Sequence, residues 1–217
     1  MEHKVEITKT ARYYTFGDIT TAKHIWFCFH GYGQLGQFFI RNFEHLDPKE
    51  NFVVAPEGFH RFYLDGVSGR VGATWMTKED RMQDIDDYVA YIDLVYERVI
   101  QPHRTEDQKL IAFGFSQGVA TVSRWIALGR VSPEIAVFWG GSFPPDLKPT
   151  AAKRWFNPID TYCCIGDKDE YITADRVNDA KLHFKALGIN AKWISYQGTH
   201  RIPKGEFSRI TTEHITA

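Results

Sequence analysis

One serine of this chain stands between glycines, in Gly114-Phe115-Ser116-Gln117-Gly118, where an apolar run over residues 109–116 gives way to a helix-like stretch. A serine hydroxyl is a weak nucleophile until a neighbouring base takes its proton, and it must stand clear of the backbone to meet base and substrate together. A sharp strand-to-helix turn lifts it clear only where the flanking side chains are minimal, so glycine two before and two after Ser116 suits that geometry. The following helix aims its N-terminus at the same point, which makes the Gln117 N–H a donor for a developing oxyanion. Alone the pattern is weak; its setting after a buried strand and before a helix gives it meaning.

A base and an acid must be found elsewhere. Of nine histidines, His3, His45, His60, His103, His183 and His214 fall in terminal, loop or helical stretches; His24 opens a strand and His30 ends one, ahead of any acid. His200, two residues after Gly198, is the one that follows both Ser116 and a strand-end acid. The acid is a choice between Asp167 and Asp169 in "GDKDEYI". Asp169 is preferred, because Asp167 sits nearer the strand end and suits the ordinary role of a turn aspartate, accepting backbone N–H bonds. A second oxyanion donor belongs after an earlier strand, where "FHGYGQ" places Tyr32 between two glycines that let a backbone N–H turn inward.

These positions make sense only on a frame of strands and helices. Short, nearly continuous apolar runs at 24–33, 52–56, 109–116, 134–141, 161–167 and 191–198 each stop at Gly, Pro, Asp or Ser, as strands covered on both faces do. Residues 5–16 read as a strand pair at a sheet edge. Ile85, Val89, Ile92, Val95 and Val99 repeat at three and four, predicting a helix over 78–100 with Thr77-x-x-Asp80 as a capping box. Further helices are expected from Ser116 to a stop at Gly129 and over 174–187 to a stop at Gly188. The alternation predicts one α/β domain over 1–217, with a mostly parallel sheet and helices on both faces. In such sheets ligands meet the carboxyl ends of the strands, and that is where Ser116, the aspartates and His200 fall.

Composition narrows the partners. The 217 residues are 43% hydrophobic, with 26 Lys+Arg against 27 Asp+Glu and no basic stripe, which argues against a nucleic-acid partner. No apolar run approaches the length of a membrane span, and "MEHKVEITKT" lacks the apolar centre of a signal peptide, so a cytoplasmic protein is expected. Cys28, Cys163 and Cys164 lie in apolar runs and are expected as buried thiols; in a strand the last two face opposite ways, against a shared metal.

Together "FHGYGQ", "GFSQG", "GDKDEYI" and "YQGTH" resemble the motifs of the phospholipase/carboxylesterase family of small α/β-hydrolases, which includes acyl-protein thioesterases and bacterial carboxylesterases. The resemblance runs over about residues 24 to 200. It implies an α/β-hydrolase fold without a separate cap domain, Ser116 as nucleophile, Asp169 and His200 completing a triad, and an oxyanion hole from Tyr32 and Gln117. It implies no cofactor. The chain departs from the family pattern at Val119, where a further glycine is common, and at "TWMTKEDR", which lacks the usual Trp-Phe-Asp. The aromatic, glycine-rich stretch over 56–75 is distinctive, and with it Phe59, Tyr63, Trp75 and Met76 are expected to wall the substrate pocket. After His200 the remaining residues look short for the family's closing helix.

The expected chemistry is cleavage of a small-molecule carboxylic ester or thioester through an acyl-enzyme on Ser116. The rival reading is a ligand pocket on the same fold with little turnover, against which the full Ser, Asp, His set weighs. The sequence leaves a homodimer open.

Overall fold

The computed structural model describes residues 1–147, 156 and 158–216. Seven strands form one sheet in the order β1 (Tyr13–Phe16), β3 (Asn51–Pro56), β2 (His24–Phe29), β6 (Lys109–Phe115), β7 (Ile135–Trp139), β8 (Asp160–Gly166), β9 (Ala191–Tyr196). All neighbours pair in parallel except β1, which lies antiparallel on β3 at the edge. This is the α/β-hydrolase type of sheet, with the strand order turning back at β2 so that β3 and β6 flank it.

Alternation along each strand sends successive side chains to two separate cores. Ile25, Phe27 and Phe29 of β2, with Ala112 of β6 and Phe138 of β7, pack under α2 (Arg81–Val99), α3 (Gln117–Leu128) and α4 (Ala174–Leu187). Trp26, Cys28, Phe113 and Trp139 face the other way, against a short α1 (Gly36–Phe39), the 3-10 turn Ile40–Phe43 and α5 (Lys204–Ile210). The three cysteines are buried and unpaired, and Cys163 and Cys164 fall in opposite cores, as adjacent strand residues must. Among the described residues, no helix is long and apolar enough to cross a membrane.

Several elements differ from expectation. The strand pair over 5–16 reduces to β1: its register pairs Tyr13 with Pro56, the last residue of β3, so residues further back have no partner strand. The chain there runs as exposed, irregular backbone, tied by Lys4 to Asp80 and by Lys9 to the Phe59 carbonyl. The capping box at Thr77 does not form. Asp80 occupies the N-cap with a left-handed φ of 45°, so α2 starts at Arg81, and the Thr77 hydroxyl accepts the Glu79 N–H instead. The stretch over 56–75 folds as a second sheet, β4 (His60–Tyr63) and β5 (Val71–Thr74), a hairpin standing beside the carboxyl end of β2. The tail after His200 does close with a helix: α5 runs into a π-helical turn, Thr211–Ile215, burying Phe207, Ile210 and Ile215. Three apolar anchors let so short a segment cover that face. Of the connection between β7 and β8, residues 148–155 and 157 lie outside the described residues.

Phe113 touches Trp26, Phe39, Phe43, Trp139 and Phe207, with ring centroids 5.2 to 6.5 Å away. It joins the β2 and β6 side chains to α5. Phe113→Ala is expected to lower unfolding free energy by about 3–5 kcal/mol in urea titrations, the usual cost of emptying a buried phenyl site; a loss under about 1 kcal/mol would contradict this packing.

Candidate active site

Ser116 sits between β6 and α3 with φ 53° and ψ −115°, a conformation that a residue with a side chain adopts only under constraint. The constraint is visible in the glycines. A methyl on Gly118 would lie 2.1 Å from the Phe29 carbonyl oxygen, and one on Gly114 would lie 2.4 Å from that of Gly118. The first turn of α3 is thus pressed against the end of β2, and the chain can turn between the two glycines only by pushing Ser116 outward. Val119, where the family resemblance leads one to expect glycine, is buried; it is received by Gly141, where an added methyl would come within 2.5 Å of the valine.

The hydroxyl so presented meets His200. Its Oγ lies 2.9 Å from His200 Nε2, and His200 Nδ1 lies 2.8 Å from Asp169 Oδ2. With Nδ1–H donating to the carboxylate, the lone pair of Nε2 faces the serine O–H. The Asp169 carboxylate is fully buried, and its other oxygen accepts the N–H groups of Tyr171 and Ile172 at 2.9 and 3.0 Å. Three donors therefore hold one carboxylate, which offsets the cost of burying it. Phe115 and Tyr171 flank the His200 ring at 5.1 and 4.7 Å.

The loops that bring these groups together are fastened to one another. The Asp167 N–H donates to the Tyr196 carbonyl, Lys168 N–H to the Gly198 carbonyl, and Gly198 N–H to the Asp167 carboxylate at 2.9 Å. Asp167 thus stitches the loop after β8 to the loop after β9 and leaves Asp169 to face His200. On the far side of His200, the Arg201 carbonyl accepts both the Tyr196 hydroxyl and the Trp139 indole N–H.

Tyr32 follows β2, its ring exposed and stacked on Phe62 at 5.1 Å. Among the described residues its N–H makes no hydrogen bond, while the neighbouring Gly31 N–H is taken by Gln34 Oε1 at 2.8 Å. Gln117 is the first residue of α3, so its N–H has no acceptor within the helix. Gln117 directly follows Ser116, and Tyr32 directly follows Gly31, where an added methyl would lie 3.1 Å from the serine Cβ.

The four residues expected to wall the pocket are dispersed. Trp75 is fully buried, its indole N–H donated to the His30 carbonyl at 2.9 Å. Met76 is half-buried with its sulfur 3.5 Å from Arg124 Nη1; Phe59 stacks on Tyr91; Tyr63 is exposed on the hairpin. Two clefts are lined by other residues. One, of about 490 Å³, lies between Gly33, Gln34, Phe38, Leu64 and Val71; a second, of about 310 Å³, lies between α4 and the ends of β8 and β9. Neither includes Ser116.

Two buried groups at the site, His30 and Glu57, have no role assigned from the sequence. His30 is wholly buried, with Nε2 accepting the Gly58 N–H at 2.9 Å and Nδ1 lying 2.8 Å from the Gly31 carbonyl. These partners fix a neutral ring with the proton on Nδ1. Glu57, also buried, receives Arg12, Arg61 and the Gly36 N–H; burial opposes its charge, but these donors outweigh it and hold its pKa below the usual value. The available signal was position: both sit in the first residues after a strand, within or beside a glycine turn.

Ser116, His200 and Asp169, with two N–H donors beside the serine, form an arrangement able to activate a hydroxyl and receive negative charge on an adjacent oxygen. No family model and no curated protein sequence matches the chain. Solved structures do. Acyl-protein thioesterase 2 of Zea mays is 21% identical, with 94% of this chain and 97% of that one covered and a TM-score of 0.71. The Bacillus cereus carboxylesterase is 12% identical over 93% of this chain and 92% of its own, with a TM-score of 0.68. Esterase PE8 is 19% identical over 94% and 97%, with a TM-score of 0.64. At such identities the likeness establishes the α/β-hydrolase fold.

Burial, opposed in part by the Gly31 carbonyl, lowers the pKa of His30 from 6.5 to about 4. Between those values the unfolded chain binds more protons at this residue than the folded one. Its contribution is therefore complete above pH 6.5 and lost as pH falls towards 4, by roughly 3 kcal/mol over the interval. Imidazole NMR at about pH 5 should find His30 neutral and Nδ1-protonated while urea midpoints already decline. A protonated His30 in the folded protein under those conditions would contradict the assignment.

Proposed function

We propose that this chain is a serine hydrolase of the phospholipase/carboxylesterase type that cleaves carboxylic esters, thioesters included, through an acyl-enzyme on Ser116. The observation that carries the reading is the unbroken relay from Ser116 Oγ through His200 to the buried Asp169 carboxylate, at 2.9 and 2.8 Å. The structures it resembles, a thioesterase, an esterase and a carboxylesterase, agree with it.

In this mechanism His200 Nε2 takes the serine proton as Oγ attacks the acyl carbonyl carbon. The carbonyl oxygen becomes an oxyanion, held by the N–H groups of Tyr32 and Gln117 and favoured by the positive N-terminal end of α3. Asp169 keeps the imidazole in the tautomer with a free Nε2 and stabilises the imidazolium that forms. As the tetrahedral adduct collapses, the imidazolium gives its proton to the departing alkoxide or thiolate, leaving Ser116 acylated. Water then loses a proton to His200 and attacks the acyl carbon, and the second collapse releases the acid and restores the serine. The chemistry draws on no group beyond these side chains and N–H donors. The reading includes a small-molecule substrate and a cytoplasmic, reducing setting, which three unpaired buried thiols fit.

A fluorophosphonate probe should label Ser116 alone, and Ser116→Ala should abolish both labelling and hydrolysis of nitrophenyl esters. Full activity in that variant would reject the mechanism. Asp169→Asn should lower kcat by roughly 10³–10⁴-fold, because the imidazole loses its orienting charge. Asp167→Asn, which keeps a loop acceptor, should turn over close to wild type; the reverse ranking would show that the wrong aspartate has been assigned.

A further inference from the structure

Tyr32 and Gln117 lie 85 positions apart in the chain, yet one oxyanion must be met by the N–H groups of both. A hydrogen bond to developing charge is useful only if donor and oxygen are in place before the reaction, so something has to fix the spacing between the two segments. The end of β5 touches both.

On the Tyr32 side, the backbone is tied before and after the donor. The Trp75 indole N–H binds the His30 carbonyl at 2.9 Å, two residues before Tyr32. The Gly33 N–H binds the Ala73 carbonyl at 2.9 Å, immediately after it, and the Ala73 N–H returns to the Gln34 carbonyl at 3.3 Å. The Trp75 ring is wedged against His30 at 4.9 Å and Phe29 at 5.7 Å, so the indole has no alternative seat. On the other side, the Gln117 carboxamide is held by the same strand end. Its Nε2 donates to the Met76 carbonyl at 3.1 Å, its Oε1 accepts the Trp75 N–H at 3.3 Å, and the Thr74 hydroxyl lies 2.8 Å from Nε2 and 3.0 Å from Oε1. Thr74 and Trp75 are buried, while Gln117 and Met76 are half-buried, so the strand-end side of these bonds is shielded from water.

We infer that the end of β5, through the Trp75 indole N–H and the Thr74 hydroxyl, is the brace that sets the spacing between the two oxyanion donors, making Trp75 and Thr74 positioning residues for the reaction proposed above. Neither touches the substrate. Trp75 acts through the loop carrying Tyr32, and Thr74 through the side chain of Gln117. The hairpin is therefore a working part of the site whose effect falls on the transition state rather than on substrate binding.

Two substitutions, of which Thr74→Val is near-isosteric and Trp75→Phe also shortens the ring, are read against thermal stability to separate this role from core packing. Trp75→Phe keeps an aromatic ring and removes the indole N–H; Thr74→Val keeps the volume and removes the hydroxyl. For each purified variant, kcat and KM are measured on a nitrophenyl ester, with Ki for a boronic acid that mimics the tetrahedral adduct and the thermal midpoint alongside. Each variant is expected to lose roughly 10- to 100-fold in kcat with KM within about threefold of wild type, and boronate affinity should fall by the same factor as kcat/KM. An unchanged kcat, or a raised KM with unchanged kcat, in a folded variant overturns the brace. If Trp75→Phe melts, Thr74→Val decides the same question through the second donor. Absence of Ser116 labelling in the wild type would remove the hydrolase reading and the brace together; a labelled, active wild type with unaffected variants removes the brace alone.

Discussion

The first turn of α3 lies so close to the end of β2 that no side chain fits between them. The backbone of Gly118 rests against the carbonyls of Phe29 and His30, and Gly114 rests against Gly118. This contact compels Ser116 into a positive φ and turns its hydroxyl out of the sheet. It also sets the N-terminus of α3 beside the loop that follows β2, so two chain segments with unused N–H groups converge on one point. Strain at Ser116 costs on the order of 1–3 kcal/mol, and the two cores that sandwich the sheet hold it in place.

The rest of the site repeats this logic with hydrogen bonds. The loop after β8 and the loop after β9 exchange three bonds, one of them through the Asp167 carboxylate, and the outcome is a single distance between Asp169 and His200. Asp167 and Asp169 are chemically equivalent residues two positions apart, and their different surroundings give them different work. Asp167 is spent on a surface turn, whereas Asp169 is buried with its remaining oxygen filled by backbone donors. His30 follows the same principle on the opposite side of Ser116: a histidine denied water and given one donor and one acceptor becomes a neutral connector between β2 and the loop after β3.

What could be read from the chain was whatever has a short-range cause. The strands β2, β3, β6, β7 and β8 announce themselves as apolar runs because both of their faces are covered, the half-buried edge strand β9 by its aromatic and β-branched residues, and α2, α3 and α4 through their periodicity or their glycine stops. Other elements hid for definite reasons. Residues 5–12 have strand-like composition but no neighbour to pair with beyond Pro56. The β4–β5 hairpin was obscured by its glycines, although Tyr63 and Val71 flank a turn-like "LDGVSGR". Thr77 and Asp80 have capping-box spacing, yet the chain bends at Asp80 and begins the helix there. The tail after His200 looked too short to close the fold, because local pattern does not reveal that Phe207, Ile210 and Ile215 each meet a deep apolar site.

By itself the sequence determined the sheet type, the turn at Ser116 and the identity of the residues that gather there, because glycine spacing, apolar runs and chain order act locally or through simple topology. Only the tertiary structure decided which contacts those residues make. It buried Trp75 instead of leaving it on a pocket wall, gave Asp167 a loop and Asp169 a histidine, and joined Gln117 to Thr74 across 43 positions of chain. Such pairings depend on distances between segments that meet only when the two cores form, and no local property of the residues encodes those distances.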